Sequence, residues 1–387
     1  LRKSKKLKSL VVVGLSVLLL TACGNLGSGG TTNTTTEKDS NSGYQTTGST
    51  SGDNYAGVIV NGRYRTNKSR GVGIAQNSDN LYNLKSFESG LTEISKNVFS
   101  TKSYVFQEGQ ILSKSTVQKL LSRKSKSNKI GLNPVDNGKT DPNTRNPMYV
   151  QQIEEQDYMK EDGDGKLSLA GMTIGIGMNR KDYYQKEEYG ATYTSTISKE
   201  EMVAQGKKAA QAVLERLRST EKVPDNVPIV IAMYQQAEND SLAGGAFYAY
   251  TVVKSGDQIS SWNNTDLATY VFPTASDDES PNSNDEAAFN SFKKRIQGFF
   301  PNLAGVTAQV QYKGSNLQGM KIKITTQFYS ETEINSFAQY VTKAAKTYLP
   351  SDIPVEITIL GSDGDMQALV SKDSGDDAYY MHVFSSY

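Results

Sequence analysis

Apolar positions along this chain fall into three regimes. Residues Leu10 to Leu20 form one continuous run, broken only by Gly14 and Ser16. From Gly24 to about Asn54 almost nothing is apolar, and Gly, Ser, Thr and Asn dominate. Beyond that, apolar residues recur with the two periods that mark helices and strands.

Helical spacing at Leu84, Phe87, Leu91, Ile94 and Phe99 predicts a helix over 81–99. Val117, Leu120 and Leu121 predict another over 115–123, opening at Ser115-x-x-Gln118. Two longer helices open on Ser198-x-x-Glu201 and Ser330-x-x-Glu333, where the hydroxyl and the carboxylate cap the first amides reciprocally. One carries Ala209, Ala212, Val213 and Leu217 on a single face; the other carries Ile334, Phe337, Val341, Ala344, Ala345 and Tyr348. A Pro-x-x-[Val/Ile]-Pro turn follows each and feeds a strand, with Ile229, Val230 and Ile231 or Val355, Ile357 and Ile359 to pack. A further strand is expected over 166–176, after a turn at Asp162-Gly163-Asp164-Gly165.

These elements belong to an internal duplication. Leu169-Ala-Gly-Met-Thr173 returns as Leu303-Ala-Gly-Val-Thr307, and Thr192–Ser198 as Ile324–Ser330. Val223–Ile231 is echoed by Leu349–Ile357, and Ala246–Val253 by Ala378–Phe384. The order is the same in both halves. Each copy reads strand, strand, helix, strand, strand, and a crossover helix lies on one sheet face. The expected fold class is α+β: two related units of mixed β-sheet, each covered by a helix. Residues 57–143 lie outside the duplication as an N-terminal helical elaboration.

The expected organisation is a lipoprotein signal peptide over 1–22 and a lipidated Cys23 with a disordered tether to residue 55. A first α+β domain over 56–272, a linker over 273–286 and a second α+β domain over 287–387 follow. A tether of thirty-odd residues spans roughly 30 Å at ~5–6 Å × √n. The linker acids Asp277, Asp278, Glu279, Asp285 and Glu286 lack the alternating spacing of a calcium loop, so solvated chain is the simpler reading.

The start of the chain changes this picture most. Arg2, Lys3, Lys5, Lys6 and Lys8 precede the apolar run, and Leu20-Thr21-Ala22-Cys23 closes it with the only cysteine of the sequence. A basic head, a short apolar core and small residues before a cleavage point make an export signal. A cysteine just past that point makes it a lipoprotein signal, cut between Ala22 and Cys23. The run is too short to span a ~30 Å hydrocarbon core, which needs ~20 residues. Leu1 stands where an initiator methionine is expected, as an unusual start codon read literally would give.

Net charge is +1, of which residues 1–23 supply five positive groups and no acid, so the remainder is acidic by four. No basic face for nucleic acid is expected. Acylation of Cys23 leaves no thiol, hence no disulfide.

The rest of the chain offers little chemistry. His382 is the only histidine and sits in a terminal strand with one tip in water. The lack of a free cysteine excludes Cys-His dyads, and a single histidine excludes multi-histidine metal sites. A Ser-His-Asp triad would have to use His382, which reads as a strand residue. The glycines of Gly171 to Gly177 lack dinucleotide-binding spacing and fit close backbone packing. Carboxylates remain: Glu108, with Glu154, Glu155 and Asp157, could form an acid–base pair of glycosidase type. The lysine-rich segment 123–129 reads as a solvated loop. No catalytic residue, metal or cofactor is assigned.

The lipoprotein start, Phe106-Gln-Glu-Gly-Gln110, Gly131-Leu-Asn-Pro134, Gln156-Asp-Tyr158 and Leu169-Ala-Gly171 resemble the CamS family of bacterial sex pheromone lipoproteins. The resemblance implies a membrane-anchored surface lipoprotein of Gram-positive bacteria and assigns no reaction to its folded body, which the lack of a catalytic constellation marks as non-enzymatic. It also implies a second product, a peptide trimmed from the signal and ending before the lipidated cysteine, which acts on plasmid-bearing neighbours. Here that heptapeptide is Ser16, Val17, Leu18, Leu19, Leu20, Thr21 and Ala22. The partners implied are the bilayer, the lipoprotein-processing enzymes and a receptor for the released peptide.

Two other readings of the body stay open. One is a surface module binding a glycan, peptide or small ligand between the units, through Trp262, Tyr248, Tyr250, Tyr380 and Glu108. The other is a carboxylate-based cell-wall hydrolase, which requires two acids in a groove.

Overall fold

The strand and helix order follows from where amphipathic stretches find partners. The computed structural model describes residues 44–48, 53–72, 80–162, 166–275, 280–299, 305–327 and 330–385. The expected signal peptide, Cys23 and the tether as far as residue 43 lie outside the described residues. In chain order the elements are β1 (Tyr44–Thr46), β2 (Val58–Val60), β3 (Arg63–Tyr64), α1 (Leu81–Lys96), β4 (Val105–Glu108), α2 (Lys114–Leu121), β5 (Val150–Glu161) and β6 (Leu167–Met178). Next come β7 (Lys181–Gln185), β8 (Thr192–Thr196), α3 (Lys199–Arg218), β9 (Ile229–Gln235), β10 (Ala246–Val253) and β11 (Asn263–Asn264). The last are β12 (Leu267–Phe272), α4 (Ser283–Gln297), β13 (Gly305–Lys313), β14 (Asn316–Thr325), α5 (Glu331–Tyr348), β15 (Val355–Leu360), β16 (Met366–Lys372) and β17 (Tyr380–Val383).

Two six-stranded sheets carry the fold, ordered β4-β5-β6-β9-β10-β11 and β12-β13-β14-β15-β16-β17. In each, the central pair is parallel (β6 with β9, β14 with β15) and every other pair is antiparallel. A helix joins the outer strand to its neighbour (α2, α4), and a longer one makes the parallel crossover (α3, α5). This is the expected mixed α+β class with two related units.

The duplication is larger than the sequence echoes indicate. It takes in β4 and α2, placed outside it by sequence, because β4 and α2 occupy the positions of β12 and α4. Two echoes are in structural register: the serine caps of α3 and α5, and the proline turns before β9 and β15. The other two are not. Leu169 lies in β6, whose counterpart is β14 rather than the chain ahead of β13. Ala246 opens β10, whose counterpart is β16 and not β17.

Three boundaries also move. Tyr44–Thr46 pairs antiparallel with Val58–Val60, so the chain expected as tether up to residue 55 already forms sheet. Leu267–Phe272 hydrogen-bonds along β13, which puts the start of the second unit at Leu267 and not after the linker. Ser283 to Glu286, expected as linker, is the first turn of α4; Asn282 caps it, and Asp285 and Glu286 face the positive end of the helix dipole.

Caps show why the helices begin where they do. Ser113, not Ser115, opens α2, its Oγ accepting Thr116 N–H at 3.2 Å. Ser330 and Glu333 form the full reciprocal box. Ser198 accepts Glu201 N–H at 3.1 Å, but the Glu201 carboxylate accepts from Gln205 Nε2 at 2.9 Å, so the second half of that box is unmade. The α1 helix ends at Lys96, short of the expected Phe99, and is capped by Asn80.

One face of the first sheet packs on α2 and α3 through Ile153, Ile174, Ile176, Val213 and Leu217. Its other face packs on α1 through Phe87, Leu91, Phe99, Tyr158 and Tyr234. Glycines in β6 let α1 approach: a Cβ at Gly171 would lie 2.3 Å from Phe99, and one at Gly175 would lie 2.5 Å from Phe87. Among the described residues the second sheet packs on one face against α4 and α5, through Phe289, Phe292, Phe337, Val341, Ile322 and Ile357.

Candidate functional site

The five residues expected to line a ligand cleft are not brought together. Tyr248 packs with Trp262 on the α3 face of the first sheet, its hydroxyl against Gly206. Tyr250 packs on the opposite, α1 face. Tyr380 is 62% exposed on β17, in the second sheet. Glu108 sits on the edge strand β4, accepting from Tyr64 Oη at 3.2 Å. Tyr248 and Tyr250 are placed on opposite faces by the pleat of β10, and among the described residues no common groove contains the five.

The carboxylates divide between two faces of β5. Glu155 and Asp157 are each 1% exposed and meet the loop from β4 into α2. Ile111 N–H and Leu112 N–H donate to Glu155 at 2.7 and 2.5 Å, and Gln110 N–H donates to Asp157 at 3.0 Å. Burial raises both carboxyls above their ordinary range, and the Glu155 charge beside Asp157 raises that group further. The amides favour charge on Glu155, so the pair keeps its proton on Asp157. Chemically this pair holds a backbone turn; it is closed to a polymer substrate.

Glu154 faces the α1 side. Its carboxyl is pushed up to about 8, by burial first and then by the Glu88 carboxylate, with the Gln156 amide opposing. Burial, then Glu108, also raises Glu88. Among the described residues no group of three acids, histidines or cysteines could hold a metal ion. His382 is exposed and meets Phe384 edge-to-face at 4.7 Å, as expected of a strand residue with its tip in water.

An open cleft of 480 Å³ lies elsewhere, at the β7–β8 hairpin, lined by Lys181, Tyr183, Thr194, Thr196, Glu238 and Asp240 among others. Behind it a small chamber reaches Asn179 and Gln236. Lys181 and Glu238 pair at 2.5 Å across it. Sequence reasoning missed these residues, because polar side chains at strand ends form no motif. The available signal was the extra chain between β6 and α3, which the second copy lacks.

The profile of the CamS sex pheromone cAM373 precursor family matches residues 64–378. The chain belongs to this CamS family. The crystal structure of a sex pheromone precursor from Lactobacillus salivarius subsp. salivarius UCC118 is 63% identical, with a TM-score of 0.85, covering 89% of this chain and 100% of that one. The C-terminal domain of the sex pheromone staph-cAM373 precursor from Staphylococcus aureus is 29% identical, with a TM-score of 0.66, covering 80% of this chain and 98% of that one. No curated protein sequence matches.

The segments that carried the CamS resemblance have structural work in this chain. Gly109 of Phe106–Gln110 lies so close to Glu155 that a Cβ there would stand 2.6 Å from the Glu155 Cβ. Asn133 of Gly131–Pro134 is buried, its Nδ2 donating to the carbonyls of Leu121 and Val150 and its Oδ1 accepting from Tyr149 and Val150 N–H. Both segments fix the chain around α2. No helix among the described residues is long and apolar enough to cross a membrane.

Proposed function

We propose that this CamS-family chain is a lipid-anchored extracellular lipoprotein whose cleaved signal peptide yields a short hydrophobic pheromone. The observation that carries the proposal is Leu20-Thr21-Ala22-Cys23, placed after a basic head and a short apolar run. Membership of a pheromone precursor family supports it. Signal peptidase cuts before the acylated Cys23, and trimming of the fragment leaves Ser16–Ala22. That heptapeptide has no charged side chain and five apolar residues, so it can leave one membrane and enter another. Its receptor is on a plasmid-bearing neighbour, and the outcome is conjugative transfer. The folded body is anchored on the outer face of the cell membrane and catalyses nothing. The burial of Glu155 and Asp157 against backbone amides supports that last point.

Mass spectrometry of culture medium tests the release: a peptide ending at Ala22 is expected, and its absence at femtomole sensitivity refutes the pheromone. Cys23→Ser is expected to abolish incorporation of labelled fatty acid and to free the body into the medium. Label retained by this variant refutes the anchor.

A further inference from the structure

The first copy differs from the second by an insertion. Where β14 turns directly into α5, β6 and α3 are separated by the hairpin β7–β8. The hairpin stands at the carboxyl ends of β6 and β9, the parallel pair of its sheet, where Met178 and Gln235 are partners. In open sheets with helical crossovers, ligands bind in the crevice outside the carboxyl ends of the parallel strands.

The hairpin is held in place. Arg145 pairs with Asp182 at 2.5 Å, donates to Ser195 Oγ at 3.1 Å and stacks 3.8 Å over the Tyr184 ring. Asp182 also accepts Met148 N–H at 2.9 Å. The cleft beneath it therefore has a fixed wall.

Gln236 lies behind that cleft, in the small adjoining chamber of about 10 Å³. The residue is 7% exposed and lines the inner chamber, and its Nε2 donates to Gln152 Oε1 at 3.2 Å. Its Oε1 has no partner in the protein. A buried acceptor left unpaired is costly, so a water-sized donor in the chamber behind the cleft would be favoured there.

Charge and size select the ligand class. Arg180 and Lys181 are balanced by Glu238 and Asp240, so the lining favours neither an anion nor a cation. The volume of 480 Å³ lies within the ~300–1,000 Å³ of small-molecule sites. Carboxylates, an ammonium, amides and threonine hydroxyls match a ligand whose groups both donate and accept, which is the property of a sugar hydroxyl. The Tyr183 ring offers a face for the apolar C–H side of a sugar. A peptide would need an apolar pocket for an anchoring side chain, and a phosphate would meet two carboxylates.

We propose that the cleft between the β7–β8 hairpin and the loop after β9 binds a neutral glycan of one or two sugar rings. This assignment is independent of the anchoring and pheromone reading. Glu238 and Asp240 accept from the sugar hydroxyls, Lys181 donates, and Tyr183 packs on the ring.

Saturation-transfer NMR on the full-length chain in a sugar-free detergent tests it. The probes are glucose, N-acetylglucosamine and its β-1,4 dimer, with inorganic phosphate and glycylglycine as competitors. Transfer to the ring protons of at least one sugar is expected. Tyr183→Ala and Asp240→Ala should each weaken it about tenfold, the loss of one good hydrogen bond or ring contact. Tyr348→Ala, on the exposed side of α5, should leave it unchanged. Asp240 is an exposed loop residue, so its variant reports on the site even if Tyr183→Ala misfolds, and circular dichroism checks both. No transfer to any sugar, transfer undiminished in Asp240→Ala, or displacement by phosphate or glycylglycine would overturn the proposal.

Discussion

Along β6 every residue from Gly171 to Met178 is buried, and along β9 every residue from Ile229 to Tyr234 is. Along β14 and β15, the same two positions in the second copy, burial alternates, with Lys321, Lys323 and Glu356 on an open face. One wiring diagram thus serves a three-layer unit and a two-layer unit. The difference lies in what was added to the first copy: α1 over its second face, and a hairpin at the carboxyl ends of its parallel strands. An alternating strand can face water on one side, whereas a strand buried on both sides needs apolar or fully paired residues throughout. The first sheet meets that demand with glycines under Phe87 and Phe99 and with paired groups such as Ser95 and Thr173, whose hydroxyls meet at 2.8 Å.

The sharpest way to break this comparison is to remove one large side chain from each helix layer. Phe87 in α1 and Phe337 in α5 are both fully buried. Phe87→Ala and Phe337→Ala should each lower stability by about 3–5 kcal/mol, the usual cost of emptying a buried phenylalanine site. Urea unfolding reads both. A loss below about 1 kcal/mol for Phe87→Ala would show that α1 is a peripheral decoration and not a third layer.

Much of this architecture was legible in sequence, and the failures have physical causes. Helix stripes such as Phe87, Leu91 and Ile94, or Phe337, Val341 and Ala344, need only local periodicity, and the structure buries these six. Tyr348, placed on the same α5 stripe by spacing, is exposed at the end of the helix. Strand equivalence was misjudged at Leu169 and Ala246 because a strand's place is set by distant pairing partners, which local resemblance does not encode. The α4 helix was hidden because Asn282, Asp285 and Glu286, which suit a helix start, look like acidic linker when Phe289, Phe292 and Ile296 are not read with them. The cleft was hidden for a further reason. Lys181, Gln236 and Glu238 converge only after β6 and β9 pair, and no spacing in the chain announces it.

A smaller effect separates the units by pH. Glu154, under α1, holds its proton to about 8, against an ordinary value of 4.5. The unfolded chain releases that proton first, so the stabilisation is complete below about 4.5 and is lost as pH rises towards 8. Asp157 is raised as well and adds a slope of the same sign. The urea midpoint should therefore fall between pH 5 and pH 8, and Glu154→Gln should flatten part of that fall. Equal midpoints at the two pH values would show that Glu154 is charged in the folded protein.

The finest test compares the two crossover helices at their first turn. Ser330 makes a reciprocal box with Glu333, whereas Ser198 makes one arm only because Glu201 is engaged by Gln205. Removing a serine cap costs about 0.5–2 kcal/mol. Ser330→Ala should fall in the upper part of that range, since loss of the hydroxyl also unfastens the Glu333 arm from the Ser330 amide. Ser198→Ala should fall in the lower part. Glu333→Ala should lower stability by a few tenths of a kcal/mol, and Glu201→Ala should act through its side-chain contacts with Gln205 and Tyr149 and not through the Ser198 amide. A double-mutant cycle decides the point: coupling between Ser330 and Glu333 with none between Ser198 and Glu201 is the expected pattern. Equal coupling in the two helices would mean that the copies still share their capping, and that their divergence is confined to the layers packed outside them.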